Sequence, residues 1–196
     1  MIHLQGHDQV LLTDKDTCGE GCHFGDYINI TGFKNGTLNL IIGNNVRIMD
    51  NVQIHVDGTV IIEDNVTLHN HVSILGSDNC RIGKNTWIAQ YTSLDCEAGL
   101  DIGEDCCIGF NCQIWSHVCR VPRLPNMRFH AKKPTVIKDR VWLMGGLITV
   151  SPGVVIEEDC VVFSNSVVSK NTVPGKVYAG IPARILEQYE SPYGQH

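Results

Sequence analysis

The sequence predicts an all-β protein, a parallel β-helix of stacked coils, and three observations predict it. Isoleucines recur every 20 residues at Ile42, Ile62, Ile82 and Ile102. An aliphatic residue follows six positions later (Ile48, Leu68, Ile88, Ile108) and again after six more (Ile54, Ile74, Leu94, Ile114). The residue two before the next aliphatic is small or apolar: Val46, Val52, Val66, Val72, Thr86, Thr92, Cys106 and Cys112. The two residues left over in each block of 20 fall among turn formers, Asp57-Gly58, Ser77-Asp78-Asn79 and Ala98-Gly99. A fixed period over four blocks means units that bury their apolar sides on one another, and a hexad period means short parallel strands around a triangular prism.

The chain of 196 residues is read as a single domain, 1–196. Residues 1–41 form an N-terminal cap, with Val10-Leu11-Leu12 as a short strand, 14–21 as loop and a degenerate first coil at 22–41. That coil is counted back from Ile42 to Cys22 and ends at the Asn35-Gly36 turn. Residues 42–114 are the regular coils. In them Asn45, Asn65, Asn85 and Asp105 form one column, and because Asn and Asp tolerate left-handed backbone angles this column marks a corner.

The register then breaks. The next coil is due at residue 122, but the pattern restarts at Val136-Ile137 with Ile137 in the inward place, fifteen residues late. The insertion, roughly 116–134 within a loop segment 115–135, carries His117, His130, Pro122, Pro125, Pro134 and the basic residues Arg120, Arg123, Arg128, Lys132 and Lys133. A long excursion from a strict solenoid points to function. Coils resume over 136–170 with Ile137, Leu143, Thr149, Ile156, Val162 and Val168 inward. The step from 137 to 156 is nineteen, one residue short. The tail, 171–196, leaves the solenoid at Pro174 and Pro182, and Arg184 to Glu190 is expected to form a short C-terminal helix.

A net charge of −6 gives no electrostatic case for nucleic acid or anionic membrane, and no apolar run reaches the roughly 20 residues of a membrane span. Met1-Ile2-His3-Leu4-Gln5 lacks the basic start of a secretory signal, so a cytoplasmic protein is expected. The nine cysteines do not suggest a disulfide framework. Cys106, Cys112 and Cys160 hold the small inward register, where a free thiol behaves as a small hydrophobe. Cys18, Cys22 and His23 form half a zinc pattern without a second half.

Four further segments carry a family resemblance. Val136 to Leu143 resembles V-I-G-x-x-V-W-I-G, Ser151-Pro152-Gly153-Val154 resembles L-P-G-V, Ser166 to Lys170 resembles S-V-V-T-K, and Ala179 to Arg184 resembles A-G-x-P-A-K/R. With the coils, about 40–186 resembles the hexapeptide-repeat acyltransferases, the branch that acetylates sugars and xenobiotics. The resemblance implies a left-handed β-helix, a homotrimer with sites between neighbouring prisms, acetyl-CoA as co-substrate, and no metal. The pattern is departed from at Glu63, Lys138 and Glu157, where the family has glycine, and at Trp142-Leu143-Met144-Gly145, which is followed by one extra residue before Pro152.

Acetyl transfer from a thioester to a hydroxyl requires a base for the acceptor proton, usually a histidine. The resemblance places that base where the chain enters its long loop, at His117 in Ile114-Trp115-Ser116-His117; His130 is the rival. Asp95 and Glu97, one coil earlier, are the two candidates to orient its other ring nitrogen. The resemblance further implies that Trp142 lines the pantetheine or acceptor channel, that Gly145 and Ser164, with Gly146 beside them, meet the pantetheine arm, and that Lys170 and Arg184 meet the coenzyme phosphates. An oxyanion donor is expected among backbone N–H groups near Gly145.

The expected function is O-acetylation of a sugar, a surface polysaccharide or its precursor, with the basic insertion hinting at an anionic, sialic-acid-like acceptor. Xenobiotic or antibiotic acetylation and sugar N-acetylation are the alternatives. A metalloenzyme of the gamma-carbonic-anhydrase kind would use His55 and His71, but the third ligand position is Gly76. A non-catalytic scaffold would not need the insertion.

Overall fold

In the computed structural model, which describes residues 17–32, 38–118 and 132–192, the strands lie in three sheets. The first face is a seven-stranded sheet from Thr17–Cys18 to Val155–Ile156. The second has nine strands, from His23–Phe24 to Arg184–Ile185. The third has seven, from Asn29–Thr31 to Val167–Val168. Each strand but the last, Arg184–Ile185, pairs in parallel with its equivalent one coil away, so the chain winds around a triangular prism and no helix occurs among the described residues.

The inward ladder is the one the periodicity predicts. Ile42, Ile62, Ile82, Ile102 and Ile137 pair in succession down the first face. Ile48, Leu68, Ile88, Ile108 and Leu143 do so on the second. All are buried, as is the small column beside them. Burying one such aliphatic side chain contributes about 1.5–3 kcal/mol, so the stack is the main source of stability. Two polar members of the small column, Thr86 and Thr92, are fully buried yet satisfied. Their hydroxyls donate to the carbonyls of Gly103 (2.8 Å) and Gly109 (2.9 Å) and accept from the amides of Cys106 and Cys112, stitching neighbouring coils.

The corners explain the Asn column. Asn45, Asn65, Asn85 and Asp105 all have φ between 55° and 60°, and their side chains form a ladder in which Asn65 donates to Asn85, and Asn85 to Asp105, at 2.9 Å. A second corner, between the second and third faces, repeats the left-handed residue at Asn51, His71, Tyr91 and Asn111. There His71 stacks on Tyr91 with ring centroids 4.7 Å apart. Cys106, Cys112 and Cys160 are buried free thiols, and burial is the first cause that pushes Cys106 up to about 12 and Cys112 up to about 11.

The structure corrects four expectations. The first coil pairs Cys18 with Ile42, Phe24 with Ile48 and Ile30 with Ile54, a step of 24 rather than 20. Cys22 therefore belongs to the small column, its thiol donating to the carbonyl of Gly43, because four extra residues lie in the connection that contains 33–37. In the coil after the insertion the inward residue is Val150 rather than Thr149. Ile114 pairs with Val150, and the ladder slips at a bulge where Phe110 meets Gly146. That coil gains one residue at the second corner and loses two at the third, which gives the net step of nineteen. The tail does not leave the prism at once: Val177–Ala179 adds a parallel strand to Val161–Val162. Finally, the expected C-terminal helix is absent. Arg184–Ile185 folds back antiparallel on Val177–Ala179, and Leu186 donates to the carbonyl of Val177 at 2.8 Å. A helix of seven residues is marginal alone, whereas the open sheet edge offers ready backbone partners.

Candidate active site

The insertion leaves the prism at the third corner, and its described ends are pinned there. His117 and Lys132 form an antiparallel bridge, the Lys133 amide donates to the Ser116 carbonyl at 2.9 Å, and the Thr135 hydroxyl donates to the Trp115 carbonyl at 2.6 Å. Ile102 pairs with Ile137, so the insertion is the fifteen residues that the period counted. His130, Arg120, Arg123 and Arg128 lie outside the described residues.

At this corner the sequence alternates. Ile114 and Ser116 point inward and are buried, so Trp115 and His117 project to the same outer side. His117 Nδ1 lies 2.8 Å from Asp95 Oδ2. That oxygen also accepts from the Ser116 amide (2.7 Å), the His117 amide (2.9 Å) and the Ser116 hydroxyl (3.1 Å), while Asp95 Oδ1 accepts from the Glu97 amide (3.1 Å). Burial pushes the Asp95 carboxyl up, but hydrogen bonds from the Ser116 backbone, the His117 ring and the Glu97 backbone, with the His117 charge, together hold it below its ordinary value. An ionised Asp95 accepts the Nδ1 proton, and this tautomer puts the basic lone pair of His117 on Nε2. Of the two candidate orienting groups, Asp95 holds the ring. Glu97 accepts from the Ser77 hydroxyl (2.6 Å) and pairs with Lys132 (3.4 Å).

A groove of about 310 Å³ opens beside this pair, lined by His117, Asp95, Glu97, Ser93, Leu75 and Trp115 together with Gly76, Leu94 and Ile114. Sequence reasoning missed Trp115, Leu75 and Ser93. The signal for Trp115 was its place two residues before the histidine, on the same side of the chain as it leaves the Gln113–Ile114 strand.

The other predicted residues gather elsewhere. Trp142, half-buried on the second face between Cys107 and Val161, leads to the second corner. There Gly145 (φ 83°) lies against Ser164, whose hydroxyl donates to the Met144 carbonyl at 3.0 Å. A Cβ on Gly145 would fall 2.0 Å from the Ser164 oxygen, and one on Gly146 would fall 2.7 Å from the Phe110 carbonyl. Trp142, Gly145 and Gly146 thus share one strand, which ends beside Ser164 at the second corner, and the third face separates that corner from His117. Lys170 and Arg184 are exposed, the first just beyond the last strand of the third face and the second on the terminal antiparallel strand. His55 and His71 do not converge: His55 stands on the third face and His71 at the second corner against Tyr91. Among the described residues no group of three or more His, Cys, Asp or Glu could hold a metal ion.

No family model matches the chain. The putative lipopolysaccharide biosynthesis O-acetyl transferase WbbJ of Escherichia coli (strain K12) is 43% identical over 65 residues, 33% of this chain and 33% of that protein. Galactoside O-acetyltransferase of the same organism is 34% identical over 55 residues, 28% and 27% of the two chains. The matches therefore span a third or less of these relatives. Among solved structures, the polySia specific acetyltransferase NeuO aligns with a TM-score of 0.67 at 20% identity, over 89% of this chain and 81% of that one. The polysialic acid O-acetyltransferase OatWY aligns with a TM-score of 0.59 at 26% identity, over 87% and 88%. AntD, an N-acyltransferase from Bacillus cereus solved with dTDP and Coenzyme A, aligns with a TM-score of 0.55 at 22% identity, over 87% and 82%. The fold is the left-handed parallel β-helix of such acetyltransferases.

Proposed function

We propose that this chain is an acyltransferase that moves the acetyl group of acetyl-CoA to a hydroxyl of a sugar. The observation that carries the reading is the His117–Asp95 pair at the mouth of a groove, held by a strand end and an insertion foot rather than by a loose loop. In the reaction, His117 Nε2 takes the proton of the acceptor hydroxyl as its oxygen attacks the thioester carbonyl. The tetrahedral intermediate collapses with cleavage of the C–S bond, and the proton on His117 passes to the departing thiolate. The products are the sugar ester and free coenzyme A. Asp95 keeps the ring in the reactive tautomer and stabilises the imidazolium that forms in between, the role of the aspartate in a serine hydrolase triad.

The placement of the remaining residues supports an oligomeric site. His117 sits at the third corner, whereas the strand of Trp142, Gly145 and Gly146 ends beside Ser164 at the second. One chain does not bring them together, and a neighbouring copy that sets its second corner against this third corner does. A homotrimer closes that arrangement by symmetry. In it, backbone groups at Gly145 meet the pantetheine arm and the oxyanion, and the exposed Lys170 and Arg184 meet the coenzyme phosphates. The O-acetylating relatives and the polysialic acid enzymes among the structural neighbours support a saccharide acceptor, an acidic one included.

His117→Ala decides the matter. Thiol release from acetyl-CoA in the presence of acceptor should fall on the order of 10²–10⁴-fold, while acetyl-CoA affinity by calorimetry stays within about 3-fold. Retained turnover overturns the assignment.

A further inference from the structure

The groove beside His117 has an apolar side that proton transfer does not use. Trp115 and Leu75 are large apolar residues left 38% and 40% exposed next to the proposed base. Both belong to one outward column on the third face: Leu75 pairs with Asp95, and Leu94 pairs with Ile114, so Trp115 stands directly above Asp95. The Asp95 carboxylate between them is drawn aside onto the amides of Ser116 and His117. The next outward column along the face is short here, with Ser93 on Ser73, their hydroxyls 3.2 Å apart, and Gly76 follows Leu75 at the corner. Big walls, a small floor and a displaced carboxylate make the groove.

We infer that Trp115, with Leu75 opposite, is the platform on which the acceptor ring stacks, and that the groove selects a pyranose presenting a face of C–H groups. This rests on the proposed acetyl transfer and adds what the acceptor must look like. A pyranose has a polar rim of hydroxyls and apolar faces of ring C–H bonds. The negative face of an indole attracts such polarised C–H edges and excludes water from them. The rim then meets the polar side of the groove, where Ser93 and Glu97 line it. Trp115 and His117 lie just past the Gln113–Ile114 strand with buried Ser116 between them, so they stand on the outer side no more than roughly 7 Å apart along the chain. A ring lying on Trp115 therefore sends a rim hydroxyl toward the imidazole of His117. The platform is rigid because the Trp115 backbone is held at both ends: its amide donates to the Val150 carbonyl at 3.1 Å and its carbonyl accepts from Thr135. At about 310 Å³ the groove is at the small end of ligand sites, which run to roughly 300–1,000 Å³, and so admits a short stretch of acceptor.

The test compares Trp115→Ala and Trp115→Phe with the wild type on a panel of neutral and acidic pyranosides and flat aromatic amines. Trp115→Ala should raise the acceptor KM about 10-fold, with the acetyl-CoA KM and the pH–rate profile unchanged, and Trp115→Phe should recover most of the loss. Saturation-transfer NMR on the wild type should mark the C–H protons of one ring face more strongly than those of the other. Pyranoside turnover with an unchanged acceptor KM in Trp115→Ala overturns the platform and leaves the acetyltransferase reading standing. A loss of subunit association in Trp115→Ala at unchanged acceptor KM assigns the indole to an interface and overturns it too. Wild-type turnover of the amines and of no pyranoside overturns both.

Discussion

Replacing Asp95 with asparagine separates the orienting and electrostatic duties of the carboxylate. Four hydrogen atoms converge on Asp95 Oδ2, from the amides of Ser116 and His117, the Ser116 hydroxyl and His117 Nδ1. An asparagine must place its carbonyl oxygen there, which turns its amide group onto the Glu97 N–H that Oδ1 now accepts at 3.1 Å. The tautomer of His117 survives, but one hydrogen bond becomes a donor–donor contact, costing about 1–3 kcal/mol of stability. Chemistry loses more. At the 2.8 Å separation and an effective dielectric near 20, a full imidazolium charge would gain about 6 kcal/mol from the carboxylate. With roughly half the proton transferred at the transition state, about 3 kcal/mol is lost, some two decades in kcat. Thiol release under saturating acetyl-CoA measures it. The double substitution with His117→Ala should be no slower than His117→Ala alone, since the aspartate acts only through the ring. A kcat for Asp95→Asn within about 3-fold of wild type, or an additive loss in the double variant, would refute the dyad. The pH dependence has a definite sign. The folded structure holds the Asp95 carboxyl below its ordinary 3.8, so its stabilisation is fully present above that value and is lost as the pH falls through the lower folded value. The stability deficit of Asp95→Asn should therefore be complete at neutral pH and shrink in acid.

Further outcomes follow from the corners and the core. Gly145→Ala combines a left-handed φ with a Cβ on the Ser164 oxygen and should cost about 2–4 kcal/mol, lowering Tm by about 5–15 °C; adding Ser164→Ala should return part of that, and no recovery would refute the clash. Asn65→Ala loses both left-handed tolerance and two ladder bonds and should destabilise by about 1–3 kcal/mol, whereas Asn65→Gly should cost less; the reverse order in denaturant melts would contradict the corner argument. Cys106 and Cys112, pushed up to about 12 and about 11 first by burial, should resist alkylation near neutral pH until the chain is unfolded, as peptide mass mapping reads directly.

The repeat was legible because a solenoid writes its geometry locally: an inward aliphatic every six residues needs no distant partner to be recognised. For the same reason the insertion could be measured by counting, and the strand pairing of Ile102 with Ile137 matches the count. Counting failed where gaps of opposite sign fell close together. Between Leu143 and Ile156 one residue gained at a corner and two lost at the next look like a single deletion, so the count puts Thr149 inward where Val150 belongs. It failed again at the first coil, where four extra residues before Leu38 shift the register to Cys18, Phe24 and Ile30. The tail read as helix by local preference, but an open sheet edge decided it.

By itself, then, the sequence determined the coil, its core and the point where the chain departs from it, since each depends on spacing along the chain. Only the tertiary structure chose between Asp95 and Glu97. Both lie near the right turn, but Asp95 ends its strand against the Ser116 and His117 amides and so meets the ring of His117, while Glu97, past the strand end, meets Ser77 and Lys132. Only the structure put Trp115 and Leu75 on either side of that carboxylate, because two residues forty apart become neighbours only when three coils stack. And only the structure showed His117 and the Gly145–Ser164 cluster on different corners of the prism, a separation that follows from winding one-dimensional spacing around three faces.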